Sequence, residues 1–417
     1  MENPFVIDCF SHLQILIGPN NAGKTNVLDA IELFFSPNLD PERFYDTHSD
    51  LSITLSLSQN DTLTINYKSD ERSFVLNGEP TSGRNEQIIK AQKRIIRVRP
   101  ELSAHKLITE KLHSFAKDHK QEYSEFCATL QEYFDDIELS ERLFLDNIQA
   151  DHHERPVGRL GSGFQRLFII LFYLFNPEYD IILIDEAELH LHPSVIKRFV
   201  KILETRRASK QVFLTTHSSV FVQPRTILHV WRVARDENHN TQIRHLANCK
   251  EEFAPTRLVQ ELNDDTTEMF FSDTVLLVEG VSDKILLRGL IDRFYKGKRD
   301  IKVIYTGGKG NIDVYVEVCN AFDIPYTILL DRDALKGVWA NVVSHALTRA
   351  HKEPIDKKIA ILRQHHIYIL DGVLEQSYPK KYRKRETKPL NALYAAQMIT
   401  EEDLASPQMK IVREMIE

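Results

Sequence analysis

A chain of 417 residues with 42% apolar and 27% charged side chains has ordinary globular composition and enough apolar surface for two or three domain cores. Its 53 Lys and Arg against 60 Asp and Glu give a formal charge of -7, which excludes a generally basic coating protein but not a local basic site. Four cysteines without CxxC spacing, no signal-like N-terminus and no apolar run near the ~20 residues of a bilayer span predict a cytoplasmic protein with no membrane contact.

In chain order, a strand at Leu13–Ile17 runs into Gly18-Pro-Asn20-Asn21-Ala-Gly23-Lys24-Thr25, and a helix follows from Lys24 to Phe35. The octapeptide is a complete GxxxxGK[ST] phosphate loop between strand and helix. Backbone N–H groups from Asn20, Asn21 and Gly23 would curl around phosphates at a helix N-terminus. Lys24 would reach the outer phosphates, and the Thr25 hydroxyl would bind Mg²⁺. Leu51–Leu57 and Thr62–Tyr67 alternate as antiparallel strands with one wet face, and residues 101–147 carry helix-like spacing. The apolar strand Ile181–Ile184 ends abruptly in Asp185 and Glu186. Asp185 would hold the Mg²⁺ shell and Glu186 would orient and deprotonate the attacking water. After a strand at Val212–Thr215, His217 stands where it could contact the γ-phosphate. A further strand at Leu228–Val233 precedes a polar hairpin or loop at Asp236–Asn248.

Leu160-Gly-Ser162-Gly163-Phe-Gln-Arg, ahead of a strongly apolar helix, resembles the signature of ABC-type ATPases of the SMC and RecF kind. That resemblance implies that Ser162 and Gly163 complete the ATP site of a second protomer, hence a homodimer or higher oligomer through the ATPase part. It also makes Glu188-Leu-His190-Leu-His192-Pro the loop after the catalytic Glu rather than a zinc site. Neither Gln59 nor Gln92 is more than a weak candidate for the usual metal-contacting Gln. Only seventeen residues precede Gly18, so the family's N-terminal strand and hairpin look shortened, and the insertion between the ATPase motifs leaves no room for a long coiled-coil arm.

A second strand–helix alternation opens with Thr274–Val278, and its strand ends carry Glu279-Gly-Val-Ser-Asp283, then Thr306-Gly-Gly-Lys-Gly-Asn311, then Asp331-Arg-Asp333. Converging carboxylates at the C-terminal ends of parallel strands need a divalent cation, and hard oxygen donors select Mg²⁺ or Mn²⁺. This pattern resembles a Toprim domain, which implies that Glu279, Asp283, Asp331 and Asp333 form a metal-binding and acid–base group. An ABC ATPase followed by a Toprim domain resembles the overcoming lysogenization defect (OLD) family of ATP-dependent nucleases. By that resemblance Glu375 is a further metal ligand and Lys388, ahead of a helix at Leu390–Ile399, stabilises charge on the phosphate.

The expected fold is therefore α/β: an ABC-type P-loop ATPase domain over 1–265 and a Toprim domain with a Rossmann-like parallel sheet over 266–417. The expected function is ATP-regulated, metal-dependent cleavage of nucleic acid, DNA ahead of RNA, in anti-phage defence. The alternative is a sensor or scaffold ATPase whose Toprim site acts only with a partner protein or nucleic acid, such as a defence-system partner. Charge is segregated accordingly, at -9 over 1–265 and +2 over 266–417, with +7 concentrated in 334–400. That basic segment, including Lys380, Lys381, Arg383, Lys384 and Arg385, reads as a track for a phosphate backbone.

Overall fold

The computed structural model describes residues 7, 12–35, 51–56, 62–68, 71–81, 93–102, 111–134, 137–138, 147–150, 153–156, 160–205, 210–236, 238, 240–246, 263, 265–336, 341–348, 350, 352–384 and 387–416. Two compact units emerge. One holds Met1–Ile17, Asn21–Phe221 and Val233–Gln242; the other holds Gly18–Asn20, Val222–Arg232 and Ile243–Glu417. Among the described residues no helix is long and apolar enough to cross a membrane.

A six-stranded sheet has the order β13-β12-β1-β11-β10-β6, with β1 at Leu13–Ile17, β6 at Ile95–Val98, β10 at Ile181–Ile184, β11 at Gln211–Thr215, β12 at Val230–Arg235 and β13 at Thr241–His245. Strands β1, β11, β10 and β6 pair in parallel, Leu16 opposite Thr215 and Ile184 opposite both Leu214 and Val98. Parallel strands covered on both faces read as unbroken apolar runs, and β1 and β10 are buried at every position. Helix α1, Lys24–Phe35, follows β1 directly.

The region read as helical over 101–147 is helical at His113–Asp118 and in α2, Lys120–Tyr133, then gives way to short strands β7 (Ile137–Glu138) and β8 (Asn147–Ala150), which pair antiparallel. A third strand, β9 at His153–Pro156, completes that sheet. Strands β2 (Leu51–Ser56) and β3 (Thr62–Lys68) pair antiparallel as their alternation predicts, and β4 (Glu71–Leu76) and β5 (Glu79–Thr81) extend the meander. Helix α3, Ser162–Phe175, is buried almost all round and packs edge-on against neighbouring rings, with Phe168 5.3 Å from Phe126 and Phe172 5.4 Å from Phe115.

The second sheet, β15-β14-β16-β17, is wholly parallel, with β14 at Thr274–Val278, β15 at Ile301–Tyr305, β16 at Tyr326–Leu330 and β17 at Ile367–Ile369. Helix α4 (Val281–Phe294) and helix α5 (Lys388–Met398) pack together over one face. Their close approach is set by Gly289, where a Cβ atom would meet the Ala396 Cβ at 2.7 Å. The Arg293 guanidinium then ties down the end of α5 by donating to the carbonyls of Ala396 and Ile399. This pair of helices carries Asp283 near the start of one and Lys388 at the start of the other. Substituting Gly289→Val should force the helices apart at a cost of about 1–3 kcal/mol, read as a lower urea midpoint.

Candidate functional sites

The first site lies at the C-terminal ends of β1, β10 and β11. Lys24, the first residue of α1, is buried. Burial pushes its ammonium down to about 8, against the pull of Glu188 and Glu186. The Thr25 hydroxyl lies 3.3 Å from Asp185 Oδ1, so the two groups expected to share Mg²⁺ are adjacent. Asp185 Oδ1 also accepts from the Thr215 hydroxyl at 2.7 Å, while that same hydroxyl accepts from the Glu186 amide at 2.9 Å. Glu186 has a left-handed backbone (φ 50°), which turns the chain sharply out of β10.

Two arginines outside the phosphate-loop motif frame this arrangement. Arg97, on β6, is buried; its Nη2 donates to Asp185 Oδ2 at 2.8 Å, and its Nη1 bonds Glu32 at 2.9 Å and also Asp29. Burial works against its charge, but the bonds to Asp29, Asp185 and Glu32 outweigh it and raise its pKa. Arg166, on α3, donates to the carbonyls of Asp185, Glu186 (3.2 Å) and Arg99 (2.7 Å). Helix α3 therefore holds the backbone of both acids. Gly163 packs against the loop after Glu186: a Cβ atom there would meet the His190 carbonyl oxygen at 2.6 Å. Ser162 is exposed in the first turn, and among the described residues neither it nor Gly163 hydrogen-bonds to the phosphate loop.

The His217 amide donates to Glu188 Oε1 at 2.6 Å, whereas Glu188 Oε2 is buried without a hydrogen-bond partner. Burial and the nearby Lys24 charge lower the His217 pKa. His192 caps the following helix, its Nδ1 accepting from the Ser194 amide at 3.3 Å and lying 2.8 Å from the Ser194 hydroxyl. Gln59 and Gln92 lie outside the described residues.

The second site lies at the ends of β14, β16 and β17. Glu279 follows β14 and accepts from the Asp331 amide at 3.3 Å. Asp331 in turn accepts from the Leu374 amide at 3.1 Å, which draws the Glu375 turn toward the cluster. Asp283 sits in the first turn of α4 and accepts from the Gly280 amide at 2.9 Å, so it also caps the helix. Lys388 pairs with Glu375 at 3.2 Å.

Burial raises Glu279 to about 7, with Asp331 and Asp333 adding to the rise and Lys309 opposing it. Burial likewise raises Asp283 to about 6, reinforced by Asp331 and Glu375. Asp331 is raised by burial and by Asp333 and Glu375. Asp331 thus lies in the field of each of the other four acids, and the five share two lysines, Lys309 and Lys388. An oxygen-only donor set of this kind fits a hard divalent cation. It is no preformed cage: among the described residues no three Asp, Glu, His or Cys side chains converge at metal-binding geometry.

These features define a P-loop ATPase-type fold followed by a Toprim-type domain in the same chain. Residues 270–333 match the family model described as the overcoming lysogenization defect protein-like Toprim domain. Residues 2–99 match an AAA ATPase domain, and residues 67–223 match an AAA domain described as a putative AbiEii toxin of a type IV TA system. Glu279, Asp283, Asp331 and Asp333 fall inside the Toprim match; Glu375 and Lys388 fall beyond it.

The OLD nuclease of Thermus scotoductus is 26% identical over 195 residues, covering 43% of this chain and 36% of that protein. The Old nuclease of Escherichia phage P2 is 28% identical over 203 residues, covering 44% and 35%. Endonuclease GajA of Bacillus cereus is 24% identical over 217 residues, covering 43% and 31%. The matched region spans about a third of the length of these relatives.

Sequence reading passed over Arg97, although a charged residue inside the apolar run Ile95-Ile-Arg97-Val is a signal in itself. Replacing Arg97 with Ala removes the shared guanidinium from Asp29 and Asp185 and leaves Glu32 to Arg99. The expected outcome is a loss of about 3–5 kcal/mol in chemical denaturation, together with weaker binding of a fluorescent ATP analogue.

Proposed function

We propose that this chain is an ATP-regulated, divalent-metal-dependent nuclease that cleaves phosphodiester bonds in DNA, or in RNA, as part of anti-phage defence. The observation that carries this reading is the acid cluster at the ends of a parallel Toprim sheet, in one chain with a complete phosphate loop. The nuclease names of the relatives support it. The ATPase part is taken as residues 1–265 and the nuclease part as 266–417.

In the ATPase part, Asn20, Asn21, Gly23 and Lys24 would hold the phosphates, and Thr25 and Asp185 would hold Mg²⁺. Glu186 would act on the attacking water while His217 senses the γ-phosphate. Ser162 and Gly163 would face the nucleotide of a second protomer, which makes the working form a homodimer or higher oligomer.

In the nuclease part, Glu279, Asp283, Asp331, Asp333 and Glu375 would hold Mg²⁺ or Mn²⁺. Such cations polarise a scissile phosphate and lower the pKa of bound water. Glu279 has the half-buried setting and raised pKa of a group able to exchange a proton near neutral pH. Lys388, at the N-terminus of α5, supplies positive charge to a phosphate oxygen. A cytoplasmic location and a defence-system partner protein complete the proposal.

Purified protein incubated with plasmid, single-stranded DNA and total RNA in Mg²⁺ or Mn²⁺ should cut at least one of them. Asp331→Ala should lower the cutting rate by at least about a hundredfold. Cutting by that variant at the wild-type rate would remove the site assignment. Lys24→Ala should abolish binding of an ATP analogue while leaving the Mn²⁺ affinity of the second site unchanged. Ser162→Arg should block ATP-dependent dimers in light scattering without preventing nucleotide binding.

A further inference from the structure

The cation nearest the acid cluster belongs to a residue with no part in the proposed chemistry. After β15 the chain turns through Thr306-Gly307-Gly308-Lys309-Gly310-Asn311. Gly307 and Gly308 have φ of 71° and 130°, conformations that side-chain-bearing residues rarely adopt. The turn is fastened to the strand that carries Glu279. The Thr306 amide donates to the Val278 carbonyl at 2.9 Å, and the buried Thr306 hydroxyl lies 3.2 Å from that carbonyl and 3.0 Å from that of Gly308. Asn311 closes the turn, its side-chain amide donating to the Thr306 carbonyl at 3.1 Å. The effect is to aim Lys309 into the cluster, where its ammonium pairs with Asp333 and lies 3.8 Å from Glu279 Oε2.

We propose that Lys309 is a built-in counter-cation of the metal-free site, competing with the divalent ion for Glu279 and Asp333 and so setting the metal concentration at which the site loads. The inference rests on reading these carboxylates as metal ligands. Its physical basis is simple. Oxygens that face a lysine ammonium must give up that contact, or share it against like-charge repulsion, before they face a divalent cation. The Lys309 side chain is 23% exposed and that of Glu279 15%, so this contact is shielded from bulk water, whereas Asp333, at 60%, holds its end of the pair near solvent. A four-carbon stem on an anchored turn lets the ammonium swing away while the backbone stays in place.

The test uses the full chain as wild type, Lys309→Met, Lys309→Arg and Asp331→Ala, titrated with MnCl₂ by calorimetry and melted with and without Mn²⁺. Asp331→Ala isolates binding at this site from binding at the phosphate loop. Lys309→Met should bind Mn²⁺ on the order of tenfold more tightly than wild type, melt lower without metal, and gain more on adding it. Lys309→Arg, which keeps the charge, should retain near wild-type affinity.

Equal or weaker Mn²⁺ binding by Lys309→Met would overturn the counter-cation role. Unchanged Mn²⁺ affinity with impaired oligonucleotide binding would make Lys309 a phosphate contact instead. If wild type shows no Mn²⁺ binding that Asp331→Ala removes, the metal reading of the acids fails, and this inference with it.

Discussion

Half-buried carboxylates at the C-terminal ends of parallel strands pose an electrostatic problem, and the two sites answer it differently. Asp185 is met by the buried guanidinium of Arg97 and by the hydroxyls of Thr25 and Thr215. Guanidinium is a rigid fork with several donors, so it can serve Asp185, Asp29 and Glu32 together. That fixes the acid in direction. The Toprim acids receive backbone N–H groups and single lysines instead. A lone amide offsets little of the cost of burying a charge, and the pKa values of Glu279, Asp283 and Asp331 rise accordingly. One site is compensated by the fold itself; the other keeps a deficit that a mobile cation can fill.

Placement of the acids depends on helix starts as much as on strand ends. Asp283 caps its helix with one carboxyl oxygen, which accepts the Gly280 amide, so the cap uses only part of its acceptor capacity. Capping fixes the side chain at the entry of α4. The tight seam between Gly289 and Ala396 then sets α5, and with it Lys388, at a definite distance from that helix. On the ATPase side Arg166 does the comparable job. It holds the carbonyls that follow β10 from a helix whose own first turn bears Ser162 and Gly163. A shift of that helix would therefore pull on the backbone at Asp185 and Glu186.

Much of this was legible beforehand. The strands Leu13–Ile17, Ile181–Ile184 and Thr274–Val278 are legible in the sequence, because a buried parallel strand is an apolar run that stops where polar chemistry begins. The helical reading of 101–147 overshot. Helix-like apolar spacing there persists past Tyr133, but the chain turns into short paired strands whose partners local pattern does not reveal. Acids were found because they end strands. Their counter-cations were not, because Arg97 meets partners 68 and 88 positions away, and Lys309 reads as one more polar residue in a glycine turn until the sheet assembles.

The basic segment also takes a different meaning once its partners are known. Lys381 pairs with Asp403 at 2.9 Å, and the same carboxyl is held by the Tyr382 hydroxyl at 2.6 Å and by Thr400. Arg383 donates to the Tyr378 carbonyl at 2.7 Å, and Arg363 pairs with Glu414 at 2.6 Å. Part of the +7 is therefore spent on fastening the chain. Lys380 and Lys384 are exposed, and Lys388 is 71% exposed even while it faces Glu375. Surface pairs of that kind contribute only about 0–1 kcal/mol, so a phosphate oxygen can compete for the ammonium. Among the described residues of 380–388, the lysines left open to a phosphate backbone are thus Lys380, Lys384 and Lys388, the last of which already stands among the acids.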